Sequence, residues 1–182
     1  MRVLICPDKF AGTLTAPRVA EAFAEGWRSA AGDADEVTTL PLADGGPGML
    51  DALEAALGGR RIPVDVRDPL GRPTVGEVLR VGDVAYVESA AACGLHLLAA
   101  DERDPLRANS FGLGMLVAAC VESGAREIVV GLGGSAVNDC GAGALTALGV
   151  TPLDAAGAAL PYGGAALADC AGVTGTPRLR GA

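Results

Sequence analysis

Apolar residues along this chain come in short β-branched runs. These break into loops of small polar residues and then into stretches of helical period. Val3-Leu4-Ile5-Cys6 reads as a strand. Pro7-Asp8-Lys9-Phe10-Ala11-Gly12-Thr13-Leu14-Thr15 follows as a loop, and then a helix over about 16–30, with Thr15 at its N-cap and Pro17 in its first turn. Val19, Ala22, Phe23, Gly26 and Trp27 share one face of that helix and are expected in the core. Residues 37–42 read as a second strand and Ala43-Asp44-Gly45-Gly46-Pro47-Gly48 as a second loop. The helix over 51–57 stops at Gly58-Gly59. From Arg61 the texture changes. Strands are predicted over 62–66, 74–81 and 84–88, the last two joined through Val81-Gly82-Asp83-Val84 as an antiparallel hairpin. A helix over about 110–123 and a strand over 127–130 come next. They lead into Gly131-Leu132-Gly133-Gly134-Ser135-Ala136-Val137-Asn138-Asp139-Cys140-Gly141-Ala142-Gly143 and a helix through about Leu148. Beyond Val150 the chain is rich in Ala and Gly. Turns are expected at Asp154–Gly157 and Pro161–Gly164, and no periodic pattern from Val173 onward marks a closing strand or helix.

Repeated strand–loop–helix units predict an α/β fold with two α/β domains around a cleft. Residues 1–68 form the first domain, a doubly wound parallel (Rossmann-like) sheet. Residues 69–182 form the second, which holds the glycine-rich loop, and the boundary falls near Pro69-Leu70-Gly71. Loops at the carboxyl ends of such strands are where ligands bind in open α/β sheets.

Composition narrows this picture. Half of the 182 residues are apolar but only 3% are aromatic, so the core must be built from Ala, Val and Leu. The net charge of −8 with no basic run argues against a nucleic-acid partner, and it requires an anionic ligand to be drawn by local groups. The chain opens on a strand rather than on a signal sequence, and its apolar runs fall short of the roughly 18 residues of a membrane span. The five cysteines, at 6, 93, 120, 140 and 170, form no C-x-x-C pair. They read as reduced thiols of a cytoplasmic protein, with Cys6 and Cys120 in the core. His96, the sole histidine, lies between leucines and reads as structural, which leaves a nucleophilic cysteine without a base.

Candidate chemistry gathers in the loops. Lys9 is the only lysine, all other basic residues being arginine. Beside Asp8 in the first loop it suits a phosphate or a substrate carboxylate, although a solvated surface lysine has the same local sequence. Asp8 suits a Mg²⁺ ligand, a base for a substrate hydroxyl, or a turn former after Pro7. Asp44 either caps its turn or faces the cleft, where Gly45 and Gly46 allow a ligand close to the backbone. Gly133 and Gly134 before a helix suit an anion, with Ser135 and Asn138 as hydrogen-bonders, and a tight strand-to-helix turn wants the same glycines. Asp139 is an N-cap, a Mg²⁺ ligand or a base. Glu88, at a strand end before Ser89-Ala90-Ala91-Ala92-Cys93-Gly94, is a further cleft candidate. The Walker A pattern is absent, so the chain is not a P-loop NTPase, and the dinucleotide fingerprint is incomplete at Ala136.

Taken together, the loops at 7–14, 43–48 and 133–143, with Asn109-Ser110-Phe111-Gly112-Leu113-Gly114 before a helix, resemble the class I glycerate kinases in order and spacing. The resemblance implies ATP- and Mg²⁺-dependent phosphorylation of D-glycerate. Together with the residue readings above it makes Asp8, Lys9, Asp44 and Asp139 the candidate catalytic residues, Gly45, Gly46, Glu88, Gly133, Gly134, Ser135 and Asn138 the candidate substrate or nucleotide contacts, and Asp44 and Asp139 the candidate Mg²⁺ ligands. The chain departs from the family pattern at Lys9 (commonly Ser), Ala11 (commonly Lys), Pro47 (commonly Glu), Val137 (commonly Thr) and Cys140 (commonly Gly). It also resembles only the N-terminal half of the family's chains. The chain alone is therefore expected to be truncated and deficient in catalysis, with uncovered edges and faces that allow a homo-oligomer. A Rossmann-like nucleotide or small-anion binder without kinase chemistry is the alternative.

Overall fold

The structure, a computed structural model, describes residues 1–32, 34–177 and 179. It begins with β1 (Arg2–Ile5), α1 (Ala16–Ala31) and β2 (Glu36–Thr39). The two strands pair in parallel from Arg2 opposite Glu36 to Ile5 opposite Thr39. α2 (Met49–Leu57) leads into β3 (Arg60–Arg67), β4 (Pro73–Val81) and β5 (Val84–Glu88). A helical turn α3 (Ala90–Cys93) and the helix α4 (Phe111–Glu122) then cross over to β6 (Glu127–Gly131). The second sheet has the order β3-β4-β5-β6, antiparallel except for β5–β6, which is parallel. α5 (Ala142–Ala147) and a last antiparallel pair, β7 (Val150–Leu153) with β8 (Gly172–Gly175), complete the chain. The fold is mixed α/β with two parallel strand pairs. The expected doubly wound sheet consists of the single β1–α1–β2 unit.

The four-stranded sheet is covered on both faces, and its strands alternate accordingly. Val78, Ala85 and Val87 point to one side and pack with Val66, Ala92, Cys93, Leu116 and Cys120, under α3 and α4. Leu79 and Tyr86 point to the other side, where Leu79 packs with Met49 and Leu50 of α2. Both clusters are nearly free of aromatic rings, as the composition requires. α2 also packs against α1, so it joins the β1–β2 unit to the larger sheet. Arg61 of β3 adds polar bonds to the same junction. It reaches Asp51 at 2.7 Å, Glu54 at 3.0 Å and Glu77 at 3.3 Å.

The segment at Pro69–Gly71, expected as a domain boundary, is the turn of the β3–β4 hairpin, which pairs from Arg60 opposite Arg80 to Arg67 opposite Pro73. Asp68, 5% exposed, organises it by accepting from the N–H groups of Leu70 and Arg72 and from Arg72 Nε.

Several expectations are corrected. On α1 the buried residues are Ala16, Val19, Ala20 and Ala24, whereas Phe23 is 56% exposed and Trp27 36%. Helix α1 has only a two-stranded sheet and α2 to lie on, and its alanines permit the closer approach. Trp27 instead donates to Asp35 at 3.0 Å. Cys6 is exposed, as are Leu4, Leu40 and Leu42 near it, because one side of β1–β2 is uncovered among the described residues. Cys120, by contrast, is buried as expected, and burial pushes its thiol up to about 11. His96 is exposed rather than held between its leucines. The second strand is shorter than expected, and Leu40–Leu42 run on beside β1 as a loop. β7 and β8 were unexpected. β8 is Gly-Val-Thr-Gly, exposed at every position, and so carries no alternation to read. The remainder of the tail at 178 and 180–182 lies outside the described residues.

Leu116 is fully buried in the cluster beneath α4. Leu116→Ala is expected to destabilise the fold by about 2–5 kcal/mol through lost burial and a residual cavity. Phe23→Ala on the exposed side of α1 should stay within about 0.5 kcal/mol. Urea unfolding followed by circular dichroism checks both.

Candidate functional site

The first two loops are bound together before either offers a side chain. The N–H of Leu40 donates to Ile5 O at 2.8 Å and that of Leu42 to Pro7 O at 2.9 Å, so the parallel run of β1 and β2 continues into the loops. A tight turn then forms at Phe10–Leu14, with Gly12 at φ +77°. It holds Lys9 inward. Lys9 Nζ lies 3.7 Å from Asp8 Oδ1 and 3.6 Å from Asp44 Oδ1. The lysine side chain is 23% exposed, against 47% and 68% for the two aspartates, so it is a shared cation between loops and not a solvated surface lysine. Asp44 also accepts from the Gly46 N–H at 2.9 Å. That bond, and then the charge of Lys9, hold its carboxyl below the usual carboxylate range.

The second and third loops meet backbone to backbone. A Cβ on Gly133 would lie 2.5 Å from both the N and the Cα of Gly46, and a Cβ on Gly131 would lie 2.5 Å from Gly45 O. Gly134, at φ +67°, lies against Pro47. These glycines are required by close approach, so the loops at 7–15, 43–48 and 131–135 form one continuous surface. The third loop is fixed from its other side by Leu95 N–H to Gly134 O at 2.9 Å and by Ala136 N–H to Cys93 O at 2.7 Å. Among the described residues, no backbone carbonyl takes up the N–H groups of Gly133, Gly134 and Ser135. Such N–H groups suit an anion.

Two predicted carboxylates stand differently. Asp139 is 1% exposed. Its Oδ2 accepts from Ser110 N–H at 2.8 Å, Ser110 Oγ at 2.9 Å and Gly143 N–H at 3.0 Å, and its Oδ1 accepts from Gly141 N–H at 3.2 Å. The helix start that the sequence offered to an anion thus already holds the chain's own carboxylate. Glu88 accepts from Leu50 N–H at 2.8 Å and serves as the cap of α2, whose own N-cap, Gly48, has no side chain to give. Asn138 and Ser135 are exposed on the third loop, next to Asp139 and Cys140. Cys140 has φ +50°, the one positive φ outside glycine among the described residues.

A chamber of about 490 Å³ opens beside this loop, with Ser89, Ser110, Ser135, Asn138 and Asp139 among its lining residues and Cys93, Leu113, Leu132 and Val137 as apolar walls. Ser89 and Ser110 of its lining, and Asn109 next to Ser110, go beyond the site residues expected from the sequence. Ser110 joins Asp139 to the N–H of Ala144 at 3.0 Å, and Asn109 caps Phe111 while donating to Pro69 O at 3.0 Å. The Asn-Ser pair before a helix was the available signal for both. Ser89, in its run of small residues, gave none. No group of three His, Cys, Asp or Glu side chains fit to hold a metal occurs among the described residues. Asp8 and Asp44 are the carboxylates open to a cation here. Mg²⁺ commonly binds through one or two carboxylates together with substrate phosphates.

Known proteins resemble this chain over nearly its whole length. The glycerate kinase family profile matches residues 3–180. A glycerate kinase of Bacillus subtilis is 42% identical over 175 residues, covering 95% of this chain and 46% of the relative. A glycerate 2-kinase of Escherichia coli is 41% identical over 169 residues, covering 92% and 44%. A crystal structure from Salmonella typhimurium LT2, described provisionally as a glycerate kinase 2, superposes with a TM-score of 0.82 at 39% identity over 95% of this chain and 46% of that one. The chain spans about half the length of the curated relatives it matches.

The Asp8–Lys9–Asp44 arrangement has a direct test. Followed by carboxyl-carbon NMR, Asp44 should titrate below an ordinary aspartate. In Lys9→Ala its midpoint should rise but stay low, because the Gly46 N–H remains. Folding favours the charged form, so this contribution to stability is full above the ordinary aspartate range. It is lost as pH falls through the lowered pKa. An unchanged midpoint in Lys9→Ala would contradict the pairing.

Proposed function

We propose that this chain, which belongs to the glycerate kinase family, carries the substrate- and phosphate-handling loops for ATP-dependent phosphorylation of D-glycerate in the cytoplasm. The observation that supports this reading best is the placement of Lys9. It is the chain's only lysine, held between two carboxylates where the glycine loops converge.

In this reading Lys9 neutralises charge on the transferring phosphoryl group or the glycerate carboxylate. The N–H groups of Gly133, Gly134 and Ser135, with the approach allowed by Gly45 and Gly46, cradle phosphate oxygens, and Asn138 hydrogen-bonds substrate from the rim. Asp8 takes the proton of the attacking hydroxyl. The hydroxyl oxygen bonds to the γ-phosphorus as the bond to the β–γ bridging oxygen breaks. The name of the Escherichia coli relative supports the 2-hydroxyl as acceptor. Mg²⁺, when bound at Asp44 together with the phosphates, supplies further charge neutralisation. Asp139 and Glu88 act as positioning residues in this scheme, since each is taken up by helix N–H groups.

The test is D-glycerate-dependent release of ADP from ATP and Mg²⁺. Lys9→Ala should lower it by about tenfold or more, the scale expected for losing a charge-assisted contact in the transition state. A variant close to the parent in rate would return Lys9 to a structural role. If this chain binds ADP-Mg²⁺ by calorimetry, but neither it nor a full-length protein carrying its loops releases ADP from ATP with glycerate, the non-catalytic nucleotide or anion binder becomes the better reading.

A further inference from the structure

The chamber beside the glycine loop differs in chemistry from the Lys9 surface that adjoins it. No lysine or arginine is among its lining residues, and its one carboxylate, Asp139, is enclosed by four donors. The Cys93 thiol in its wall is pushed up to about 11 by burial and is therefore neutral. Leu113, Leu132 and Val137 give it an apolar surface. Ser89 also lines it. This residue is 1% exposed, and its hydroxyl is the one buried side-chain polar atom without a partner among the described residues. A buried hydroxyl with nothing to bond is a standing cost that a bound molecule can relieve. At about 490 Å³ the space is large for a three-carbon acid and lies within the range of small-molecule pockets. A phosphate or carboxylate there would face Asp139 with no cation to offset it.

We propose that this chamber receives the uncharged nucleoside end of the nucleotide, bonded by Ser89, while the charged groups of nucleotide and glycerate stay on the Lys9 side of the glycine loop. The assignment rests on the kinase reading and adds the division of the site into a neutral and a charged compartment. The interlock of Gly46 with Gly133 makes the two compartments neighbours.

The experiment is backbone-amide NMR of the whole chain with adenosine and with D-glycerate added separately. Adenosine should shift the amides of Ser89, Leu113 and Val137 and leave Lys9 unmoved, whereas glycerate should shift Lys9, Gly45 and Gly46 and leave Ser89 unmoved. Ser89→Ala should weaken adenosine binding roughly fivefold, the worth of one neutral hydrogen bond. Its melting temperature should be equal to or above the parent's, because a hydroxyl without a partner is removed. A hydroxyl with only a structural role would lower the melting temperature and leave adenosine affinity unchanged, which overturns the assignment. Glycerate shifts confined to the Ser89 chamber, or ADP-Mg²⁺ binding that moves Lys9 with no response from the chamber, would overturn the division and leave the kinase reading standing. Absence of glycerate-dependent ADP release from a full-length protein carrying these loops is the separate result that removes the kinase reading.

Discussion

The close approach of two glycine loops is the contact on which this molecule's candidate site depends. Gly45 and Gly46 lie against Gly131 and Gly133, and neither Gly131 nor Gly133 has room for a methyl group, since a Cβ on either would fall 2.5 Å from the second loop. A side chain at Gly131 or Gly133 would force apart the β1–β2 unit and the four-stranded sheet, and with them Lys9 and the N–H groups of the third loop. The contact is supported from below by α2, which begins directly after the second loop and buries Met49 and Leu50 against Leu79. Glu88 ties the start of that helix to the end of β5. Sheet, helix and loop thus fix each other's positions, and the loops need little stabilisation of their own.

An acidic chain uses several of its carboxylates internally. Asp139 takes donors from the starts of both α4 and α5. Asp68 closes the β3–β4 turn and holds Arg72, which also reaches Glu102. Each is a carboxylate placed on backbone N–H groups, where the negative charge is favoured. Asp139 binds α4 to α5 closely, and Gly114, where a Cβ would lie 2.4 Å from Ala144 O, allows that approach. With these groups committed, the free electrostatics of the loop surface fall to Asp8, Lys9 and Asp44. The local positive charge available to an anionic ligand is therefore one ammonium and a row of N–H groups.

The large elements were legible because their signals were local. α4 was readable from its apolar run, and the β4–β5 hairpin from its Gly-Asp turn. The same applies to the three loops, whose glycines and acidic residues mark strand-to-helix transitions. What was not legible depended on packing partners distant in sequence. The apolar stripe of α1 points to Phe23 and Trp27, yet the helix buries Ala20 and Ala24, because what it rests on is narrow. Cys6 ends an apolar strand whose neighbours on that side are absent among the described residues. Asp139 reads locally as a cap or a ligand. Only the arrival of Ser110, 29 positions earlier in the chain, shows that its oxygens are occupied.

The choice of lysine over arginine at position 9 has a physical consequence. Arg61 and Arg72 lock onto their carboxylates at 2.5–3.3 Å through several nitrogens, as a planar fork does. Lys9 stands 3.6–3.7 Å from each of two aspartates and is committed to neither. A compact ammonium held at that distance can turn toward a third anion without breaking a short bond, and the two carboxylates remain to balance its charge when that anion leaves. In a chain that otherwise takes its positive charge from arginine, the sole lysine stands where the loops converge, and Arg61 and Arg72 hold the scaffold.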